Sequence, residues 1–358
     1  MNNFHIHITQ AKELHPSAEE KIYLKGTLIH SDSVISLKNL GEMLNARSNP
    51  NSLMEYLKSL NGFYCWAYQK DGFLKAGVDH VRSLPLFYGV SSGHLYVSDS
   101  AEWVREQVND LDMDPLARDE FLLAGYVTGK DTLYPNVKQL QAGEYLEACI
   151  ENSKIKIKTQ RYYRFWHTEP DQYDVEVLHS ELERVTFNAM RRLVDYANGR
   201  QIVIPLSGGY DSRLLAAMLK KMEYKNVLCF TYGVPGNREA AYSKKVAESL
   251  DFKWVFVQYS PEIWKKEWAS IEAAEYRQLA SNHSSLPHPQ DWPAVRQLLS
   301  HGIISSNAIV VPGHSGDFVA GSHIPSFVFT KDNHSEEELI QSLIDGHFSN
   351  APKVNTIL

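Results

Sequence analysis

Cysteine is scarce in this chain. Three residues, Cys65, Cys149 and Cys229, stand at wide and irregular spacing among 358. They build neither a disulfide framework nor a paired-cysteine metal knuckle, and such usage suits a reducing cytoplasm. Basic charge is not in excess: the net charge is −7 and no basic block occurs. That argues against a partner held by phosphate neutralisation, so no nucleic-acid partner is expected. There is no run of ~18 apolar residues, and hence no expected membrane span. The first residues, MNNFHIHITQAKELH, lack an apolar stretch behind a basic start and do not read as a signal peptide. Internal repeats and low-complexity tracts are absent. Two common phosphate-binding signatures are missing as well: G-x-x-x-x-G-K-[ST], and a G-x-G-x-x-G following a strand. These absences lead to the expectation of a soluble, cytoplasmic protein.

What is present is enough apolar material for real cores, 43% of the residues, in a length that suggests two domains. Residues 1–165 read as strand-rich. FHIHI, KIYLKGTLI, GFYCWAY, GFLKAGV, HLYVS and EYLEACI are short β-branched or aromatic runs separated by turn signals. Helical patterns interrupt at 34–44, 52–60 and 115–125, the last with Pro115 near its start and Gly125 at its stop. The character changes near residue 170. From Asp174, apolar residues recur at Leu178, Leu182, Val185, Ala189, Leu193 and Tyr196, an amphipathic helix ended by Asn198-Gly199. Beyond it, QIVIPL, NVLCFTY and KWVFVQ alternate with the helical SRLLAAMLKKM and REAAYSKKVAESL. Near-continuous apolar strands alternating with helices predict a parallel sheet covered on both faces. The boundary is expected in the polar HTEPDQ, giving domains at 1–168 and 172–358.

The chemistry is expected at IVIPLSGGYDSRLLAAML, residues 202–219. A buried strand meets Ser207, Gly208 and Gly209, then Asp211 and Ser212, and a helix begins at once. Ligands of open parallel sheets bind outside the carboxyl ends of the strands. The glycines free the backbone to turn tightly and to approach a ligand. The helix N-terminus offers N–H groups and partial positive charge to an anion, and Ser207 and Ser212 add hydroxyl donors. Asp211 would repel phosphate directly and makes sense as a Mg²⁺ ligand bridging to phosphate oxygens. The loop thus reads as a polyphosphate cradle, with a plain helix cap after a glycine turn as the alternative.

SGGYDS resembles the pyrophosphate loop, S-G-G-x-D-S, of the ATP pyrophosphatase superfamily. That resemblance implies cleavage of ATP between its α and β phosphates and activation of a carboxylate as an adenylate. AIVVPGHSGDFVAGSHIP, residues 308–325, is similar to the asparagine synthetase segment S-G-x-G-x-D-E-x-x-G-G-Y, and Asp317 follows Ser207 by 110 positions. The resemblance makes Gly313 a backbone neighbour of the nucleotide and Asp317 a second Mg²⁺ ligand beside Asp211. Leu206, Thr231, Tyr232 and Gly233 match positions near the nucleotide, and Glu239 an acid at the start of the next helix. His314 stands where asparagine synthetases carry a glutamate near the reacting carboxylate and amine. It is expected to be catalytic, as a general base near neutral pH, or to signal an acceptor other than aspartate.

The first half resembles the same family. LNGFYCWAYQKDGFLKAGVDHVRSLPLFYG, 60–89, is similar to G-x-F-A-F-x-x-W-D and A-R-D-x-x-G-x-x-P-L-Y-Y, and TLYPNVKQLQAGEYL, 132–146, to T-x-F-x-x-I-x-x-L-x-P-G-x-x-L. The implied fold is an N-terminal αββα sandwich of the N-terminal-nucleophile hydrolase type, followed by a doubly wound parallel-sheet domain. The family's glutaminase needs a cysteine after the initiator methionine, and Asn2 stands there. The arginine-rich and N-G-E segments that hold glutamine in the family are not found either. The reading is an inactive glutaminase-like half, with Cys65 as a core residue rather than a substitute nucleophile. Nitrogen would come from ammonia, an amine or a separate glutaminase partner, and a homodimer stays open. The family continues well past IDGHFSNAPKVNTIL, so a C-terminally incomplete chain is expected.

Further candidates carry less. His5 and His7 share a strand face, a pattern of metal pairs and more often of ordinary strand histidines. NHSSLPHPQDW, 282–292, matches a loop bordering the family's acceptor pocket, which would put His288 or Gln290 there. His283, Asp291, His301 and His323 read as scattered polar residues. The expected function is an ATP- and Mg²⁺-dependent ligase of the asparagine synthetase type, joining a small carboxylate to ammonia or an amine. Two rivals stand beside it: the same chemistry on another acceptor in polysaccharide or secondary metabolism, and a catalytically dead nucleotide-binding scaffold.

Overall fold

A computed structural model describes residues 3–46, 49–166, 168, 172–314, 316–321, 324–330 and 333–348. Asn2 and His323 lie outside them. The chain forms two compact units, one of Met1–Thr168, Arg277–Leu286 and Asp345–Leu358, the other of Glu169–Tyr276 and Pro287–Ile344. The division is not the pair of contiguous blocks read from the sequence. Polar composition marks the crossing near 168, but nothing in composition shows that 277–286 returns to the first unit. Hydrogen bonds do: Val127 N donates to Ser284 O (2.8 Å), and Leu133 N to His283 O (2.8 Å).

The first unit has strands β1 (Phe4–His7), β2 (Lys12–Leu14), β3 (Lys21–His30) and β4 (Ser33–Val34), then helices α1 (Leu37–Ala46) and α2 (Pro50–Ser59). Next come β5 (Asn61–Lys70), β6 (Phe73–Val78), β7 (Phe87–Ser91), β8 (His94–Ser98), α3 (Ala101–Val108) and α4 (Pro115–Ala124). Strands β9 (Lys138–Gln139), β10 (Glu144–Glu151) and β11 (Lys154–Arg161) complete it. They make two sheets, of order β1-β8-β7-β9 and β11-β10-β6-β5-β3-β2, with β4 on β3. Strand β5 explains the architecture. Cys65 and Ala67 point into a core shared with Phe4, Leu95 and Val97 of the other sheet. Tyr64, Trp66 and Tyr68 alternate to the opposite face and pack on Leu40, Leu44, Leu53 and Leu57 of α1 and α2. Phe87 of β7 packs with Val104 of α3 and Ala117 of α4 on the outer face of the smaller sheet. The layers are therefore α, β, β, α. The aromatic run GFYCWAY is apolar throughout because β5 is covered on both faces.

Local chemistry sets the element ends. The Asp114 side chain accepts from Ala117 N, Pro115 opens α4, and Gly125 closes it at φ 81°. Asp79, 1% exposed, accepts from the backbone N–H groups of Tyr64, Val81 and Ser83, holding the turn after β6.

The second unit contains α5 (Val175–Ala197), β12 (Ile202–Pro205), α6 (Tyr210–Lys221), β13 (Val227–Gly233), α7 (Arg238–Ser249) and β14 (Lys253–Gln258). Helices α8 (Pro261–Trp268), α9 (Ile271–Ser281, its residues from Arg277 belonging to the first unit) and α10 (Trp292–Ser300) follow, then β15 (Ile309–Val310), α11 (Gly316–Val319), a 3₁₀ turn (Ser326–Phe329) and α12 (Glu336–His347, its residues from Asp345 again belonging to the first unit). The sheet is parallel throughout, of order β14-β13-β12-β15. One face packs on α5, α6 and α7 through Met190, Ala216, Leu219 and Ala247. The other packs on α10 through Ala294 and Leu298. Both faces are covered, as a doubly wound sheet requires. Helix α5 runs between its Asp174 and Asn198 caps, yet Leu178, Leu182 and Val185 of its apolar stripe stay exposed. Only its C-terminal turns reach the sheet. Among the described residues, no helix is long and apolar enough to cross a membrane.

Candidate active site

Numbered within the sheet, the strand order is 3-2-1-4. The first β-α connection leaves β12 and turns one way, while β15 joins on its other side. Connections diverge there and leave a crevice at the carboxyl ends of β12 and β15. Two segments meet at this crevice: the loop 206–212 after β12, and residues 311–317 after β15. A cavity of about 310 Å³ opens between them and the end of β13. Leu206, Ser207, Asp211, Ser212, Tyr232, Gly313, His314 and Asp317 line it, together with Glu239, Gln290 and Asp291. Gly208, Gly209 and Gly233, expected at the nucleotide, are not in its wall.

The loop is held by its own serines. Ser212 is buried, and its Oγ accepts from Ser207 N (3.1 Å) and pairs with Ser207 Oγ (3.1 Å). Ser207 Oγ also accepts from Gly209 N (3.1 Å). Both hydroxyls thus shape the loop, where the sequence reading made them donors to a ligand. Gly209 is the N-cap of α6 at φ −71° and supplies no side-chain cap. Neither Gly208 nor Gly209 is left-handed. A methyl group at 208 would meet Tyr242 at an ordinary 3.7 Å, so the tight turn is not what calls for that glycine.

Glycine is demanded on the facing segment instead. A Cβ on Gly313 would lie 2.8 Å from Ser212 N. One on Gly316 would lie 2.1 Å from Asp211 Oδ1. Backbone on backbone, the second segment is pressed onto the first turn of α6, which brings Asp317 to the same cavity as Asp211. Two carboxylates on one polar wall are a hard-oxygen donor set, the kind that Mg²⁺ takes when it also holds phosphate.

Below the loop, a buried hydroxyl ties three elements together. Thr231 Oγ1 donates to Leu206 O (2.7 Å), is paired with Ser243 Oγ (2.6 Å), and accepts from Trp254 Nε1 (3.2 Å). Leu206 N donates in turn to Phe230 O (2.8 Å). Thr231 is therefore a support of the loop.

The other end of the cavity is built from the 287–292 loop. Tyr232 stacks on Tyr259 (4.9 Å between ring centroids) and lies near the Asp291 carboxylate. Burial, and then that carboxylate, push its phenol pKa up. Two tyrosine hydroxyls pin the loop: Tyr276 donates to His288 O (2.6 Å) and Tyr259 to Gln290 O (2.7 Å). His288 Nε2 and His314 Nε2 both approach Asp291 Oδ2, at 3.8 and 3.9 Å. Asp291, which read as scattered in sequence, is thus the centre of a cluster. Its faint signal was the three-residue step from His288 in HPQD. Among the described residues, it is this trio rather than Asp211 and Asp317 that forms a three-member group of metal-capable side chains.

In the first unit, Cys65 is fully buried and burial raises its thiol pKa, which suits a core residue. His5 contacts His94 through ring nitrogens (3.0 Å) and stacks on Tyr96, while His7 stacks on Trp103. The pair belongs to no three-member metal group among the described residues.

Comparison with known proteins agrees with the loop. The family model described as asparagine synthase matches residues 189–276. The match holds the glycine loop and ends before Gly313. Asparagine synthetase [glutamine-hydrolyzing] 1 of Bacillus subtilis (strain 168) is 22% identical over 217 residues, 60% of this chain. The chain spans about a third (33%) of that relative's length. Among solved structures, the NH3-dependent NAD synthetase from Campylobacter jejuni is 14% identical, covering 40% of this chain and 59% of that one, at a TM-score of 0.28. The glutamine phosphoribosylpyrophosphate amidotransferase from B. subtilis is 13% identical, covering 72% and 52%, at 0.27. Structural likenesses this loose say nothing about chemistry. The stretch 189–276, with the glycine loop and the first three strands of the parallel sheet, is thus the part of the chain that is similar to the asparagine synthase family.

Proposed function

We propose that the second unit is an ATP-dependent, carboxylate-activating ligase that forms amides. The observation that carries this is the pairing of the SGGYDS loop with Gly313–Asp317 on one cavity at the sheet's switch point. ATP would lie with its β and γ phosphates over the first turn of α6, where N–H groups and the helix dipole favour negative charge. Tyr232 and Gly313 flank the nucleoside end. Asp211 and Asp317 would hold Mg²⁺, which when bound neutralises charge on the pyrophosphate leaving group. An oxygen of the acceptor carboxylate attacks the α phosphorus. The bond to the β-phosphate oxygen breaks, and pyrophosphate departs with the electron pair. The amine nitrogen then attacks the acyl carbon, AMP leaves, and one proton is lost from nitrogen. The chain's contribution is placement: both reacting ends face a cavity whose walls are fixed by Ser212, Thr231 and Gly316.

The acceptor end favours the variant of this reading in which the acceptor is not aspartate. His288 and His314 surround Asp291 there, where a glutamate was expected from the family pattern. The first unit would act as a docking domain without its own glutaminase chemistry, so nitrogen would arrive as ammonia, as an amine or from a separate glutaminase.

The test is pyrophosphate release from Mg·ATP with a panel of small carboxylates and ammonium. Asp211→Ala and Asp317→Ala should each abolish release and leave the circular dichroism spectrum unchanged. Full activity in either variant rejects the carboxylate pair as the metal site. Binding of ATP without release for any acceptor favours the scaffold reading.

A further inference from the structure

We propose that His288, Asp291 and His314 form a second metal site, distinct from the Asp211/Asp317 pair, that takes a borderline divalent ion of the zinc class. It does not depend on the proposed ligase activity, because it rests on donor type and geometry alone.

Two imidazole nitrogens converge on one carboxylate oxygen, Asp291 Oδ2, from 3.8 and 3.9 Å. At those distances neither makes a hydrogen bond to it. The two rings meet edge to face with centroids 5.0 Å apart, and the three donor atoms lie within 4.8 Å of one another. Donors around a zinc ion at about 2.1 Å lie roughly 3.0–3.4 Å apart. The two nitrogen–oxygen separations must close by roughly 0.5 Å and the nitrogen–nitrogen separation by at most about 1.4 Å, a swing open to two half-exposed imidazoles.

The carboxylate is the fixed member. Its side chain is 18% exposed and lies near the Tyr232 hydroxyl. The His288–Gln290 backbone is anchored by Tyr276 and Tyr259. A phenol beside a ligating carboxylate can give the outer-shell support that ligand sets of this kind use. Two nitrogens and one oxygen select zinc-class ions over Mg²⁺, which prefers oxygen throughout. Three protein ligands leave at least one coordination position vacant, as in catalytic rather than structural sites. Asp291 and His314 line the cavity, so an ion here would sit on its wall. With the ion bound, His314 is a ligand, and the general-base role expected from sequence passes elsewhere.

The experiment is Zn²⁺ binding to the full chain, by competition with a chromophoric chelator, without nucleotide. One tight equivalent is expected, unaffected by millimolar Mg²⁺. His288→Ala and His314→Ala should each weaken it on the order of 100-fold, and Tyr232→Phe by roughly 10-fold through the outer shell. Co²⁺ in place of Zn²⁺ should give visible bands that vanish in Asp291→Asn. Asp211→Ala should bind Zn²⁺ like the wild type even if it also loses ATP, which separates this proposal from the ligase reading. Absence of stoichiometric uptake overturns it. So does uptake that persists in the folded His288→Ala/His314→Ala double variant, since the ion would then be held elsewhere.

Discussion

Gly316→Ala puts one methyl group where the Asp211 carboxylate now lies. The added Cβ would sit 2.1 Å from Oδ1 and 2.3 Å from Cγ, against the 3.4 Å at which ordinary contact begins. Asp211 is half-exposed and can swing its carboxylate away, but its Cβ, 2.8 Å from the new methyl group, does not move with that rotation, so the backbone must also give by about 0.6 Å. The required movement is about 1.3 Å at the oxygen, the difference between contact and overlap. The cost in stability should be about 1–3 kcal/mol, the range for a methyl group that forces a small backbone shift. The cost in function should be large. Misplacing a catalytic group by about 1 Å lowers rates by about 100-fold, or near 3 kcal/mol of transition-state stabilisation. Pyrophosphate release should therefore fall by two orders of magnitude, with a melting temperature about 2–10 °C below the parent. Gly208→Ala is the control for the empty protein, since a methyl group there meets Tyr242 at 3.7 Å and should leave stability unaltered. Wild-type turnover in Gly316→Ala would refute the placement of Asp211 against the second segment.

Thr231→Val removes the hydroxyl that joins Leu206, Ser243 and Trp254 while keeping its shape. Stranding buried partners should destabilise the second unit by about 2 kcal/mol, seen as a lower urea midpoint. Of the three thiols, Cys65 and Cys229 are buried, and burial pushes Cys229 up to about 12. Cys149 alone should react promptly with a thiol reagent in the native protein, while rapid labelling of two would contradict the cores described above. Glu102 accepts from Arg105 (2.6 Å) and contacts His283 Nε2 (2.5 Å). The Arg105 hydrogen bond, working against burial and helped by His283, holds its pKa near about 2 rather than 4.5. A depressed carboxylate pKa stabilises the fold above 4.5, and that contribution fades as pH falls toward 2. Glu102→Gln should accordingly melt below the wild type at pH 7, with the gap narrowing below pH 4.5 and closing only near pH 2.

Much of the secondary structure was already legible in the chain because it is local. The Asp114-Pro115 start and Gly125 stop, the Asp174 and Asn198 caps, and the alternation of strand and helix after residue 200 all act within a few residues. The glycine loop was legible for the same reason: strand, loop and helix adjoin in sequence. Other features needed the tertiary structure, because their partners are distant. The 3-2-1-4 strand order brings Gly316 onto Asp211 across more than a hundred residues. Packing turned Ser212 from a ligand donor into a buried loop staple, since burial obliges a hydroxyl to find a partner. The return of residues 277–286 to the first unit rests on backbone hydrogen bonds that composition does not encode. The same holds for the trio at the far end of the cavity. His288, Asp291 and His314 look scattered along the chain, and only the meeting of the 287–292 loop with the end of β15 gives them one oxygen in common. Sequence determined the elements and the loop chemistry, where the forces are short in range along the chain. Tertiary structure decided which side chains share a cavity, because that depends on how the strands are ordered.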